Sequence, residues 1–186
     1  MLNLTGLHLL HPGVTPELSG ALCQAARVCM NRHHTSPTDL TIEVEATAHE
    51  RELSWELPTP AECNAHANVA DATRDGAYAL SLLCLETTMG LVAVGRAEEL
   101  TGADWYVIPS GQAVWDIFGF PDLDQPGVLR LEVSGQDRGP LGARLTEKLR
   151  QLQSGSSNLP GIAAIVGFER AWVKIAHYRD GKEESQ

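Results

Sequence analysis

The sequence is short of positive charge: 14 lysines and arginines face 24 aspartates and glutamates, for a formal net charge of −10. An acidic body repels nucleic-acid phosphates at long range, so unaided capture of DNA or RNA is disfavoured. A nucleic-acid role would need a local basic patch or a partner that delivers the substrate. Long apolar runs are also missing. None approaches the roughly 18 residues of a membrane-spanning helix, so no membrane association is expected. The start, MLNLTGLHLLHPGV, has no basic segment and meets Pro12 and Gly13 too soon for a secretory signal. The four cysteines, Cys23, Cys29, Cys63 and Cys84, form neither a CxxC pair nor a dense framework. Free thiols in a reducing compartment follow, and the expected location is cytoplasmic. No Walker loop, dinucleotide fingerprint, nucleophile elbow, internal repeat or low-complexity tract occurs.

What is there is the composition of a globular chain, with 43% hydrophobic and 20% charged residues in 186, enough for one well-buried domain and short for two. Residues 1–70 read as a helix and hairpin elaboration. Pro16 and Glu17 suit the first turn of a helix through Met30, with Leu18, Ala21, Leu22, Ala25, Val28 and Cys29 at helical spacing. LTIEVEATAHERELSWEL then gives two alternating runs around a polar loop at about 46–50, an antiparallel hairpin with one wet face. A connector follows, with room for one helical turn.

Residues 71–179 form the second unit of the same single domain. A helix is predicted from about Ala72 to Met89, with Tyr78, Leu82, Leu85 and Met89 in one stripe and Gly90 as its cap. LVAVGRA and ADWYVIP, linked by EELTG, predict a second hairpin. The stretch from Ser110 to Gly127, carrying Trp115, Phe118 and Phe120, is irregular; each tryptophan is read first as a core residue. VLRLEVSG is a strand, LGARLTEKLRQLQ an amphipathic helix, IAAIVGFE a central strand and RAWVKIAHY an alternating one. From Asp180 the tail is polar. The fold class is α/β or α+β, a mixed central sheet flanked by helices in two or three layers.

VLRLEVSG carries the chemistry. Leu129, Leu131 and Val133 share one face of the strand, so Arg130, Glu132 and Ser134 share the other. That order of elements, together with TGADWYV and LRLEVSG, resembles the PD-(D/E)xK, or restriction-endonuclease-like, superfamily over roughly Asp71 to Tyr178. There a helix precedes a three-stranded meander, an acid sits on the second strand, and the third strand carries an acid, one spacer and a lysine. The resemblance puts Asp104 and Glu132 in the places of the two acids and Ser134 in that of the lysine, a departure from the pattern. Glu86 stands where some members add a helix-borne acid. Two carboxylates can hold Mg²⁺ or Mn²⁺ while leaving positions for water and a phosphate oxygen, and a cation is wanted where the transition state gathers charge. Arg130 and Lys148 are the candidates for that cation, Lys148 the better because its long side chain can reach over the sheet. The alternative on the same residues is a solvent-facing strand, with Arg130 pairing with one of the acids and Ser134 opening the turn at Gly135.

Weaker patterns are weighed beside it. His33, His34, His11 and the Cys63/His66 spacing raise zinc, against which adjacent histidines diverge and a turn after a helix end suffices. DATRDG offers Arg74 to an anion, but reads equally as a capped helix start.

The resemblance implies a metal-dependent nuclease or nuclease-derived domain acting on phosphodiester bonds. It would work beside a larger protein partner or as a homo-oligomer, as an accessory subunit of a bacterial system such as anti-phage defence. The alternative is a catalytically inactive interaction subunit on the same scaffold, using the hairpin and the loop with Trp115 as contact surfaces.

Overall fold

A computed structural model describes residues 1–112, 115, 119 and 121–178. Phe118, Phe120 and the polar tail from Asp180 lie outside the described residues. Among those described, five helices and eight strands run in the order β1 (Leu2–Asn3), α1 (Leu7–Leu10), α2 (Pro16–Asn31), β2 (Thr38–Val44), β3 (Thr47–Ser54), α3 (Pro60–Ala65), α4 (Val69–Met89), β4 (Leu91–Arg96), β5 (Trp105–Pro109), β6 (Leu129–Gln136), α5 (Gly142–Ser154), β7 (Gly161–Gly167) and β8 (Trp172–Tyr178).

All eight strands join one mixed sheet, ordered β1-β3-β2-β8-β7-β6-β5-β4. β4, β5 and β6 form an antiparallel meander, and the chain then crosses over through α5 to lay β7 parallel to β6. β8 returns antiparallel to β7, and β2 pairs parallel with β8 along Thr41–Val44. The N-terminal hairpin is therefore a continuation of the sheet.

Local chemistry explains the element ends. Thr15 caps α2 by accepting the Leu18 N–H, with Pro16 in the first turn. α4 begins three residues before the periodicity suggests, because Asn68 accepts the N–H groups of Ala70 and Asp71. It ends on Gly90 in the left-handed region. The first hairpin corrects the sequence reading. Its polar residues 47–50 belong to β3 and pair with Thr41–Val44, so the turn is Glu45–Ala46. A loop at 46–50 was expected from polarity, but an exposed strand can be polar on both faces and still fill its hydrogen-bond ladder.

The sheet separates three layers. α2 and α4 cover one face, where Leu22, Ala26, Leu80, Phe168, Leu131 and Ile162 belong to the main core. α5 covers β6, β7 and β8 on the other. It can lie close because β7 begins and ends on glycine: a Cβ on Gly161 would stand 3.0 Å from Leu152, and one on Gly167 2.8 Å from Leu141. Beside α5, Val92, Val94, Tyr106, Ile108 and Val128 form a second, smaller core. Glu132 and Lys148 face this α5 side, and Asp104 stands beside them where β5 begins.

Candidate active site

Asp104 stands just before β5, opposite Glu132 in the antiparallel register set by Trp105 and Leu131. Its N–H donates to the Leu131 carbonyl at 2.8 Å, and its Oδ2 accepts the Val133 N–H at 2.8 Å. The carboxylate thus extends the β5–β6 ladder past the end of β5. From α4, the Tyr78 hydroxyl donates to the other oxygen, Oδ1, at 2.7 Å. Burial and the charge of Asp104 push the Tyr78 phenol up to about 12, so it stays protonated and keeps donating.

Glu132 lies on the α5 face of β6, as the strand alternation predicts, and is only 2% exposed. The Lys148 ammonium comes down from α5 to its Oε1 at 2.5 Å and also donates to Gln151 Oε1 at 3.0 Å. Burial first, and the Asp104 carboxylate second, push Glu132 up to about 7; Lys148 pulls the other way without cancelling them. Asp104 acts on it both as a like charge and as a hydrogen-bond partner, so the two acids meet. A relay runs Tyr78, Asp104, Glu132, Lys148, Gln151 from one side of the sheet to the other.

The remaining candidates do not join it. Arg130 shares the face of Glu132, but its Nε donates to the Leu159 carbonyl at 2.8 Å and an η nitrogen to the Thr101 carbonyl at 2.6 Å. It ties the loop before β5 to the loop before β7, which also touch each other through Ser156 and the Leu100 carbonyl. Ser134, half-buried on the same face, is neutral and lies about 7 Å further along the strand. Glu86 is eight residues beyond Tyr78, about 12 Å along the helix axis, and accepts from Thr87. Helical spacing that suits a hydrophobic stripe carries it away from the acids.

The zinc candidates diverge as well. His11 Nδ1 accepts the Ala93 N–H, His33 meets Asp137, and His34 meets the Phe168 carbonyl. Arg74 is taken by Asp71 and Asp75. Among the tryptophans, Trp105 is fully buried and Trp115 is 46% exposed, which corrects the expectation of a core role for Trp115.

Three participants escaped sequence reasoning. Tyr78 was read as part of an apolar stripe, although a buried phenol needs a hydrogen-bond partner and so hints at a polar neighbour. Gln151 lies within the amphipathic helix LGARLTEKLRQLQ, where nothing in the spacing singles it out. Arg96, at the end of β4, lies with its guanidinium carbon 4.1 Å from the Trp105 ring centroid and 4.4 Å from that of Tyr78. No local signal marks it, because both rings arrive from other elements.

The group opens on a groove of about 630 Å³ between the loop at 97–104 and the C-terminal end of α5, lined by Arg96, Glu98, Gly102, Asp104, Gln151 and Ser154 among others. No family model, curated protein or solved structure matches the chain. The chemistry of the site therefore rests on its own geometry.

Two carboxyls in contact form a hard oxygen donor pair whose mutual repulsion a cation would relieve. Among the described residues no group of three or more His, Cys, Asp or Glu could hold a metal ion together. Two protein carboxylates nevertheless suit Mg²⁺, which keeps several of its waters. Asp104 Oδ1 and Oδ2 already accept from Tyr78 and Val133, and Glu132 Oε1 from Lys148, so a cation would share these oxygens with those donors.

Proposed function

We propose that the chain is a divalent-metal-dependent phosphodiesterase of PD-(D/E)xK type whose missing motif lysine is replaced by Lys148 of α5. The observation that carries this reading is the 2.5 Å contact of the Lys148 ammonium with Glu132, itself in contact with Asp104. Two acids and a lysine stand together although the strand carries serine at the motif position. Asp104 and Glu132 would hold Mg²⁺ or Mn²⁺, which when bound polarises a phosphate oxygen and helps ionise the attacking water. Tyr78 and the Val133 N–H fix both Asp104 oxygens, so little reorganisation is needed when charge develops. Lys148 places a positive charge beside the acids, where a pentacoordinate phosphate would gather negative charge. Hydrolysis adds water across one P–O ester bond, leaving a phosphate monoester and an alcohol.

The experiment is a Mn²⁺ titration of the melting transition with cleavage assays beside it. Mn²⁺ is expected to raise the midpoint of the wild-type protein and not that of Asp104→Asn or Glu132→Ala. Lys148→Met is expected to lower cleavage about 10²–10³-fold. An unmoved wild-type midpoint, together with cleavage unchanged in Glu132→Ala, would refute the reading.

A second reading, an interaction subunit on the same scaffold, is favoured by Trp115, which is 46% exposed on the loop after β5. It expects Trp115→Glu to break a complex with a protein partner and leave the melting midpoint unchanged. With net charge −10, the nuclease too would depend on a partner to bring the substrate.

A further inference from the structure

The groove has one feature that the acid pair and Lys148 do not use. Arg96 is exposed, and among the described residues no carboxylate forms an ion pair with it. Its guanidinium carbon lies over both Trp105 and Tyr78, at 4.1 and 4.4 Å from the centroids of two rings that are themselves 77° apart. A guanidinium placed over aromatic rings keeps its charge, and the N–H groups that it does not turn to the Tyr78 hydroxyl are left for a ligand. Tyr78, which lies under the guanidinium, also donates to Asp104, so Arg96 and one acid of the pair, Asp104, line the same groove, with Glu132 buried behind.

The rest of the lining is acidic or neutral. Glu98, Glu99 and Asp104 bring three carboxyl groups to the groove, and Arg96 is its one cation among the lining residues. A long polyanion gains affinity by releasing counterions at many phosphates, which requires a track of several cations. This groove has a single forked donor at one end of an acid-rimmed opening. It suits one phosphate and repels its neighbours.

We propose that Arg96 receives the non-bridging oxygens of a single phosphate, so that the groove takes a strand end or a dinucleotide and not continuous duplex. This rests on the phosphodiesterase reading of the same site and names its substrate class. Arg96 is a positioning residue for the phosphate, held ready by its two rings. Lysine in its place would keep the charge and lose the planar fork.

The test is calorimetric binding of 5′-phosphorylated dithymidine to the full chain, in EDTA and again in Mn²⁺. Arg96→Met preserves packing on the rings and removes the charge. It is expected to weaken binding roughly 10- to 100-fold in both buffers, with Arg96→Lys recovering only part. Unphosphorylated dithymidine and thymidine 5′-monophosphate then assign the bound phosphate as internal or terminal; retention of either upholds the proposal. Should Arg96→Met unfold, phenylglyoxal labelling of the wild-type protein is expected to modify Arg96 and to be blocked by the dinucleotide.

Wild-type affinity in Arg96→Met, absence of dinucleotide binding in both buffers, or labelling indifferent to the dinucleotide would overturn the proposal. So would tighter binding of a long duplex with the steep salt dependence of many phosphate contacts. Failure of the metal reading is seen separately. If Mn²⁺ changes nothing for wild type, the EDTA comparison still decides the role of Arg96.

Discussion

Glu132 and His11 make opposite demands on pH. The Glu132 carboxyl is raised from 4.5 to about 7, so the native chain keeps a proton that the unfolded chain releases. Its contribution is complete below about pH 4.5 and is lost as pH rises towards 7, with a slope of at most about 1.4 kcal/mol per unit. Burial lowers His11 from 6.5 to about 4, and its Nδ1 must be neutral to accept the Ala93 N–H. That contribution is complete above about pH 6.5 and is lost as pH falls towards 4. The two slopes oppose each other across the middle of the range, so the wild-type curve alone hides both. Urea denaturation of wild type and Glu132→Gln at matched pH is expected to differ by a slope confined to about pH 4.5–7. Parallel curves would show that the carboxyl is not raised. Lys148→Met removes the cation that pulls Glu132 down, and is expected to cost up to about 3 kcal/mol above pH 8 and much less at pH 5, where Glu132 is protonated. An equal loss at both pH values would mean that Lys148 contributes through its methylenes. At this scale the strand alternation told which way Arg130, Glu132 and Ser134 point. It could not tell that Arg130 would be consumed by two carbonyls and that Glu132 would meet a lysine, because those partners come from residues 101, 148 and 159.

Between elements, the site depends on how closely the two helices approach the sheet. A Cβ at Gly161 would press on the end of the Leu152 side chain at 3.0 Å, which can shift by a few tenths of an ångström. One at Gly135 would meet the main-chain oxygen of Thr73 in α4 at 2.3 Å, which cannot move without the helix. Gly161→Ala is accordingly expected to cost about 1 kcal/mol and Gly135→Ala about 3 kcal/mol or more in chemical denaturation. A reversed order would mean that α4 rides more loosely on β6 than its packing implies. The helix stripes and the alternating strands were legible because they encode burial. The distance of each helix from the sheet was not, since glycine in a strand reads the same at a bulge, a turn or a close approach.

Across the whole molecule, the N-terminal hairpin and the half of the chain after residue 70 share one sheet and one core. β2 pairs with β8 over four residues, and Leu40 and Ile42 share one core with Val173 and Ile175. Removing residues 1–68 would strip α2 from α4 and leave β8 as an unpaired edge. A chain of residues 69–178 is expected to lack a cooperative unfolding transition and to aggregate through that edge. A sharp, reversible transition in that fragment would show instead that the hairpin is dispensable. The sequence showed the hairpin, with too long a loop, but as an addition, because alternation reveals that a strand has a partner without revealing which strand it is.

By itself the sequence determined the long helices and most of the strands, though not β1, α1 or the start of β3, that they make a mixed sheet with helices packed on it, and which face of β6 is polar. These are local consequences of backbone geometry and of the free energy of hiding apolar side chains. The tertiary structure alone decided which charges meet. A parallel crossover brings Lys148 from α5 onto Glu132, while α4 and β4 bring Tyr78 and Arg96 to Asp104 and the groove, across separations of up to 26 residues. Electrostatic partnership depends on distance in space, and no periodicity along the chain reports it.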